Sequence, residues 1–246
     1  MKKIIYYTLN LFFHTLDRDV IKYLKNSKNI VVFDVGCYRG SFSKQIFNKT
    51  MEKKSVKFYL FDPNRNVKRY IKDLINKKNF LFTEAALSDK NGKANYNHNS
   101  FFEASGSSLS TLTRNDKKWI FSRKLILKFL LQKTGEFLRF SVPTITIDLF
   151  VKKNKIKKID ILKIDVDGTE QDILIGAKKT LKENRIKIIL IEIAATKKNY
   201  NKKEKKIINF LAKMNYDFKK KYIMSTPSFF SNIKAGDYLF LNKNFF

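Results

Sequence analysis

Apolar and polar residues alternate along the chain in blocks that predict strands and helices in turn. Ile30 to Phe33 are four apolar residues, three of them β-branched, as in a strand buried on both faces. Asp34 follows, then a loop bracketed by Gly36 and Gly40, then a helix with Phe42, Ile46 and Phe47 on one face. Val56 to Asn64 repeat the pattern, with a strand ending at Asp62 and stopped by Pro63. Val67, Ile71, Leu74 and Ile75 predict a helix over 67–78, and "NFLFTEAALSD" a third strand before an Asn-Gly turn at 91–92. The rhythm breaks over about 93–141, which holds a Ser/Thr-rich stretch and a basic, apolar helix candidate at 117–133. It resumes with a strand at Ile159–Ile164, a helix over 169–182, a strand ending near Glu192 and a helix over 202–214. Two final strands, "YDFKKKYI" and "DYLFLNK", have no helix between them and are expected to run antiparallel. The fold class is therefore α/β: a doubly wound, mostly parallel sheet of seven strands with an antiparallel closing strand pair. The expected organisation is an N-terminal helical segment over 1–29 and a single domain over 30–246.

Composition narrows the classes of function. One cysteine, Cys37, excludes a disulfide framework, and His14 and His98 have no metal-ligand spacing, so no metal site is expected. The net charge is +29, but only 8 of the 51 basic residues are Arg. Sites that grip phosphate favour the bidentate guanidinium fork, so the charge reads as a solvated Lys-rich surface and nucleic acid is not the expected partner. Such a surface still attracts anions at low salt, including acidic glycans and anionic membrane. "MKKIIYYTLNLFFH" is too short to span a bilayer and lacks a small-residue cleavage site. It is expected to pack on the domain as a helix, in a cytoplasmic protein.

Three ligands compete for "DVGCYRG". A Walker loop requires Gly-Lys-Ser/Thr, where this chain has Gly40-Ser41-Phe42. A dinucleotide fingerprint requires G-x-G-x-x-G, and Asp34 would stand where a pyrophosphate lies, anion against anion. S-adenosylmethionine has no phosphate and carries a sulfonium and an ammonium, so an aspartate at the strand end suits it. Asp62, 22 residues beyond Gly40, stands at the second strand's tip, where a carboxylate accepts both ribose hydroxyls.

The stretches "VVFDVGCYRGSFS", "FDPN", "EAALSDKNGKA", "SSLS", "VPTITIDLF", "IDILKIDVDGTEQDILIGAKKTL" and "IILIEI" resemble, in order and spacing, the FkbM family of S-adenosylmethionine-dependent methyltransferases. The resemblance covers about residues 30–193. It implies a Rossmann-like methyltransferase sheet and O-methyl transfer to sugar or polyketide hydroxyls. By position it implies cofactor contacts from Asp34, Gly36, Gly40, Asp62, Glu84 and Ala85, with Asp165 facing the reaction centre. Asp62 and Asp167 stand where the family commonly has Glu, and Ile193, Ala194 and Ala195 follow Glu192 where a His is common.

Methyl transfer needs an acceptor held behind the methyl group and a route for its proton. Positioning supplies about 7–11 kcal/mol of such a barrier, and a general base about 10²–10⁴ in rate. The candidate bases are Asp165 and Glu192, at the tips of the fourth and fifth strands. Lys163 is a candidate to orient an oxyanion, Glu170 reads as a first-turn helix residue, and Asp167-Gly168 as a turn. Ser107 and Ser108 are candidate acceptor or cofactor contacts, and His98 reads as an exposed loop residue. The helix over 117–133 is expected to be a lid on the site, with a membrane-surface helix as the alternative. The expected function is O-methylation of a sugar, glycan or glycolipid precursor. The alternatives are an RNA methyltransferase and a non-catalytic cofactor-binding module.

Overall fold

The computed structural model describes residues 19–50, 55–100, 107–126, 136–224 and 231–246. Most of the predicted N-terminal helical segment, residues 1–18, lies outside them. Seven strands form the main sheet: β1 (Asn29–Val35), β2 (Ser55–Phe61), β3 (Phe80–Thr83), β7 (Ile159–Ile164), β8 (Ile186–Thr196), β9 (Tyr216–Met224) and β10 (Ile233–Asn242). Their order is β3-β2-β1-β7-β8-β10-β9. All neighbours are parallel except β10, which is antiparallel to both β8 and β9.

Alternation along the strands feeds two cores, one on each face. Phe33, Val35, Leu162 and Ile164 point to one face. There they meet α4 (Ile147–Lys153), α5 (Glu170–Gly176), α6 (Lys178–Lys182) and α7 (Lys197–Ala212) through Phe150, Ile173, Leu181 and Ile207. Ile30, Val32, Ile161 and Ile188 point to the other, under α1 (Ser41–Thr50) and the short α2 (Lys72–Ile75). Because both faces are covered, the strands read as apolar runs and not as alternating ones.

The predicted helix over 67–78 is instead a 3₁₀ turn, Arg65–Arg69, followed by α2. Asn64 caps the turn, its side chain accepting from the Asn66 N–H at 3.1 Å. Val67, Ile71 and Leu74 are still buried, so the apolar spacing was read correctly while the continuous helix was not. The predicted helix over 169–182 is likewise two, α5 and α6. A Cβ on Gly176 would lie 2.0 Å from the Ser88 carbonyl oxygen, and the helix breaks at this close approach. The helix predicted at 202–214 starts earlier, at Lys197, because its first turn of Lys and Asn carries little apolar signal.

Residues interrupting the rhythm build a second sheet, in the order β4-β6-β5. It comprises β4 (Ala86–Leu87), β5 (Gly92–Asn99) and β6 (Phe137–Ile145), with Ala86, Tyr96 and Val142 as its core. β5 and β6 pair antiparallel across an excursion that contains α3 (Lys117–Ile126). No described helix is long and apolar enough to cross a membrane.

Candidate active site

The carboxyl ends of β1, β2 and β7 and the first strand of the small sheet frame one cleft. Its walls include Gly36, Tyr38, Asp62, Ala85, Leu87, Tyr96, Ser107, Ser108, Asp165, Val166 and Thr169. Strand tips are the expected place for a ligand in an open, doubly wound sheet.

Register builds the charged floor. Asp34 on β1 is the direct neighbour of Lys163 on β7. Lys163 Nζ lies 3.2 Å from Asp34 Oδ1, 3.2 Å from Asp165 Oδ2, and donates to the Gly36 carbonyl at 3.2 Å. Burial works against the ammonium, yet Asp165 and Asp34 beside it hold its pKa above the ordinary lysine value. The other Asp34 oxygen accepts from Ser43 Oγ at 2.7 Å. Asp34 is thus fully buried, its carboxylate spent on Lys163 and Ser43, and it stands behind the cleft wall. Read from the sequence as a contact for the cofactor's methionine end, it is here the anchor of Lys163.

Gly36 and Gly40 also differ from a simple ligand-approach reading. A Cβ on Gly36 would lie 1.9 Å from the Asp165 carbonyl oxygen, so this glycine lets the tips of β1 and β7 meet. Gly40 faces Leu74 and Ile71 and serves packing under α2. Glu84 pairs with Lys68 at 2.9 Å outside the cleft lining, whereas its neighbour Ala85 is in it.

Asp62 is where the sequence put it, at the tip of β2 and in the cleft. It accepts from the Tyr38 and Asn64 N–H groups at 3.2 and 3.0 Å. A carboxylate offers roughly four acceptor positions, so these two bonds leave capacity for a pair of ribose hydroxyls. Beside it, Ala85, Ala86, Leu87 and Tyr96 make an apolar slot suited to an adenine ring. Burial pushes the Asp62 carboxyl up to about 6 despite the two N–H donors. Ribose hydroxyls donate to the ionised form, so binding should be full above neutrality and lost as pH falls through 6. Between pH 8 and pH 5 the affinity for S-adenosylhomocysteine should fall about tenfold. Isothermal titration across that range checks this, and Asp62→Ala should be weaker throughout and lose the pH dependence.

Glu192 lies on β8 directly opposite Asp237 of β10. Directly opposed residues of an antiparallel pair share a face, and like charges there repel. Burial, then the charge of Asp165, raises Asp237 to about 7. Burial and the neighbouring Asp165, Asp167 and Asp237 push Glu192 well above the usual carboxylate range. Both effects disfavour the charged form of Glu192, which stands outside the cleft lining. Of the two candidate bases, Asp165, 41% exposed, is the one in the cleft lining.

Glu170 begins α5, as expected, but it is fully buried and ion-paired with Lys203 of α7. Its carboxylate also accepts from the Gly168 N–H at 2.7 Å, and Lys203 donates to the Gly168 and Ala194 carbonyls, both at 2.8 Å. This pair sets the turn at Asp167 and Gly168, both at positive φ. Ser108 and Ser110 fasten the excursion to the same turn, donating to the Val166 and Asp167 carbonyls at 2.7 and 2.9 Å. His98, expected in an exposed loop, is a half-buried residue of β5 near Phe140.

Residues 34–218 match the Methyltransferase FkbM domain, most of the 246-residue chain. The chain belongs to the FkbM methyltransferase family. It carries the family's methyltransferase domain, whose cofactor is S-adenosylmethionine. Among solved structures it is similar to Methyltransferase FkbM from Methylobacillus flagellatus KT. That match has a TM-score of 0.52 at 10% identity, covering 86% of this chain and 44% of that one. This chain thus spans less than half of that structure's length. It is also similar to a precorrin-6y C5,15-methyltransferase from Geobacter metallireducens GS-15, with a TM-score of 0.43 at 12% identity, covering 92% of this chain and 86% of that one. A third is the magnesium protoporphyrin IX methyltransferase of Synechocystis PCC 6803 with bound SAM, with a TM-score of 0.43 at 14% identity, covering 91% and 78%. No curated protein matches.

The sequence alone did not single out Tyr96, Lys203 or Asp237. Tyr96 lies inside the stretch read as an insertion, and the other two matter only through partners 33 and 45 residues away in sequence: Glu170 and Glu192. A pairing of β10 against β8 would have been the one signal for Asp237.

Proposed function

We propose that this FkbM protein methylates oxygen, on a hydroxyl of a sugar, glycan or glycolipid precursor. The observation that carries the reading is the Asp165 carboxylate in the cleft wall, with one oxygen engaged by Lys163. S-adenosylmethionine, when bound, supplies an electrophilic methyl group. Asp62 and the Ala85–Leu87 slot would hold its adenosine half. A hydroxyl is a poor nucleophile until its proton has somewhere to go, and Asp165 offers an acceptor for it. Lys163 is the positioning residue: it ties Asp165 to the Asp34 and Gly36 loop, so base and cofactor site move together. Ser107, Ser108 and Thr169 give the rim a hydroxyl-rich character that suits a polar, uncharged acceptor. A cytoplasmic setting fits the single buried cysteine, Cys37.

The test uses S-adenosylmethionine labelled in its methyl group, with fractionated glycan, glycolipid and RNA acceptors. Label should enter a glycan or glycolipid fraction and survive mild alkali, as a methyl ether does and a methyl ester does not. Label confined to RNA would overturn the choice of acceptor, and alkali-labile label, the mark of a carboxylate methyl ester, the choice of a hydroxyl.

A further inference from the structure

Helix α3 carries an arrangement that methyl transfer does not use. Its ten residues, "KKWIFSRKLI", contain no carboxylate. One side is fastened to the protein. Trp119 is buried against Phe137 and Ile233, and Ser122 is buried beside it. Asp116 holds the first turn, with Oδ1 accepting from the Lys118 and Trp119 N–H groups at 3.1 and 3.2 Å. Its Oδ2 accepts from Ser231 Oγ at 2.6 Å and the Asn232 N–H at 2.7 Å.

The other side is bare. Phe121 is 70% exposed and Leu125 46% exposed. Of the helix expected as a lid over 117–133, residues 127–133 lie outside the described residues, and over 117–126 this face is open to solvent. At about 100° per residue, Phe121 and Leu125 project in neighbouring directions. Lys117 and Lys124 flank them on one side and Lys118 on the other, all three exposed. Two apolar prongs thus stand between ammonium groups whose long stems can lie on apolar surface while their heads stay wet.

We infer that α3 is a docking helix that sets Phe121 and Leu125 into the surface of an anionic bilayer, with Lys117, Lys118 and Lys124 against the lipid headgroups. Apolar residues on one stripe with flanking lysines and no acid is the chemistry of interfacial helices. The chain's net charge of +29 complements an anionic leaflet. A protein groove would cover the apolar pair but needs no flanking lysines, and nucleic acid would use the lysines but not the apolar pair. The cleft-lining residues Ser107, Ser108 and Leu109 lie shortly before α3 in the chain. If the methyl-transfer reading holds, the acceptor would be a hydroxyl on a membrane-borne carrier; the docking itself does not depend on that reading.

The test is co-sedimentation of the full chain with vesicles of phosphatidylcholine, alone or mixed with phosphatidylglycerol, at rising salt. Binding should require phosphatidylglycerol and weaken as salt rises. F121D/L125D and K117Q/K118Q/K124Q should each lower it by about tenfold or more. K202Q/K205Q/K206Q removes the same charge from exposed positions of α7 and should leave it nearly unchanged. S-adenosylhomocysteine binding by each variant reports the fold, and F121S/L125S replaces the aspartate pair if that variant does not fold. Docking through α3 is overturned if the apolar variant binds like wild type, if the α7 variant loses as much, or if phosphatidylcholine alone suffices. RNA retention that falls in the α3 variants while vesicle binding does not would also overturn it. A wild-type chain that binds vesicles but not S-adenosylhomocysteine would count against the cofactor reading alone.

Discussion

Asp165→Asn should leave S-adenosylhomocysteine binding little changed and cut turnover by ~10²-fold or more, as for loss of a general base. The fold should survive because Lys163 keeps Asp34 and the Gly36 carbonyl, each at 3.2 Å, when the charge at Asp165 is removed. Glu192→Gln is the internal comparison. Glu192 stands outside the cleft lining, and burial with the neighbouring carboxylates disfavours its charged form, so an amide of the same shape should behave almost as wild type. Single-turnover rates with saturating cofactor separate the two variants. If Glu192→Gln abolishes turnover and Asp165→Asn does not, the base sits on β8 and the assignment is wrong. If neither matters, the acceptor loses its proton to water and the site works by proximity.

Gly36→Ala should be the most damaging single methyl group in the protein. Gly36 has φ +73°, a region that side chains resist, and the new Cβ would meet the Asp165 carbonyl oxygen at 1.9 Å. Backbone lies on both sides: the Gly36 N–H donates to Phe61 at 2.9 Å, and the Asp165 N–H donates to Val35 at 3.0 Å. Neither partner can swing aside as a flexible side chain would. We expect a loss of more than about 3 kcal/mol in urea unfolding, with cofactor binding abolished in whatever remains folded. Gly92→Ala is the control, because its φ is +140° but nothing lies within 4 Å of the added carbon. It should cost only backbone strain, about 1 kcal/mol. Equal effects at the two positions would mean that the meeting of β1 and β7 is not the critical constraint.

The same strand tips show how far reading along the chain could go. Apolar runs located β1, β2, β7 and β8, because strands buried on both faces are written in consecutive residues. Asp62 was legible for a similar reason: its place depends on a strand ending beside a proline, both visible locally. Asp34 was placed correctly, but its partner on β7 was not legible. Lys163 reaches it only when β1 and β7 are in register, while Ser43 holds its other oxygen from the helix that follows β1.

Local pattern by itself determined the α/β class, the order of crossovers, the family and the carboxylate at the tip of β2. The carboxylate follows from one strand–loop–helix unit, and the others from the succession of such units along the chain, where covalent neighbours set the geometry. Tertiary structure decided the rest. It gave Glu192 a facing carboxylate in Asp237, which disfavours its charged form, and of the two candidate bases it set only Asp165 in the cleft lining. It built a second sheet from what looked like an interruption, because β5 and β6 find each other across an excursion that carries no periodic signal of their pairing. Burial and charge are properties of what surrounds a group, and for these groups the surroundings come from distant parts of the chain.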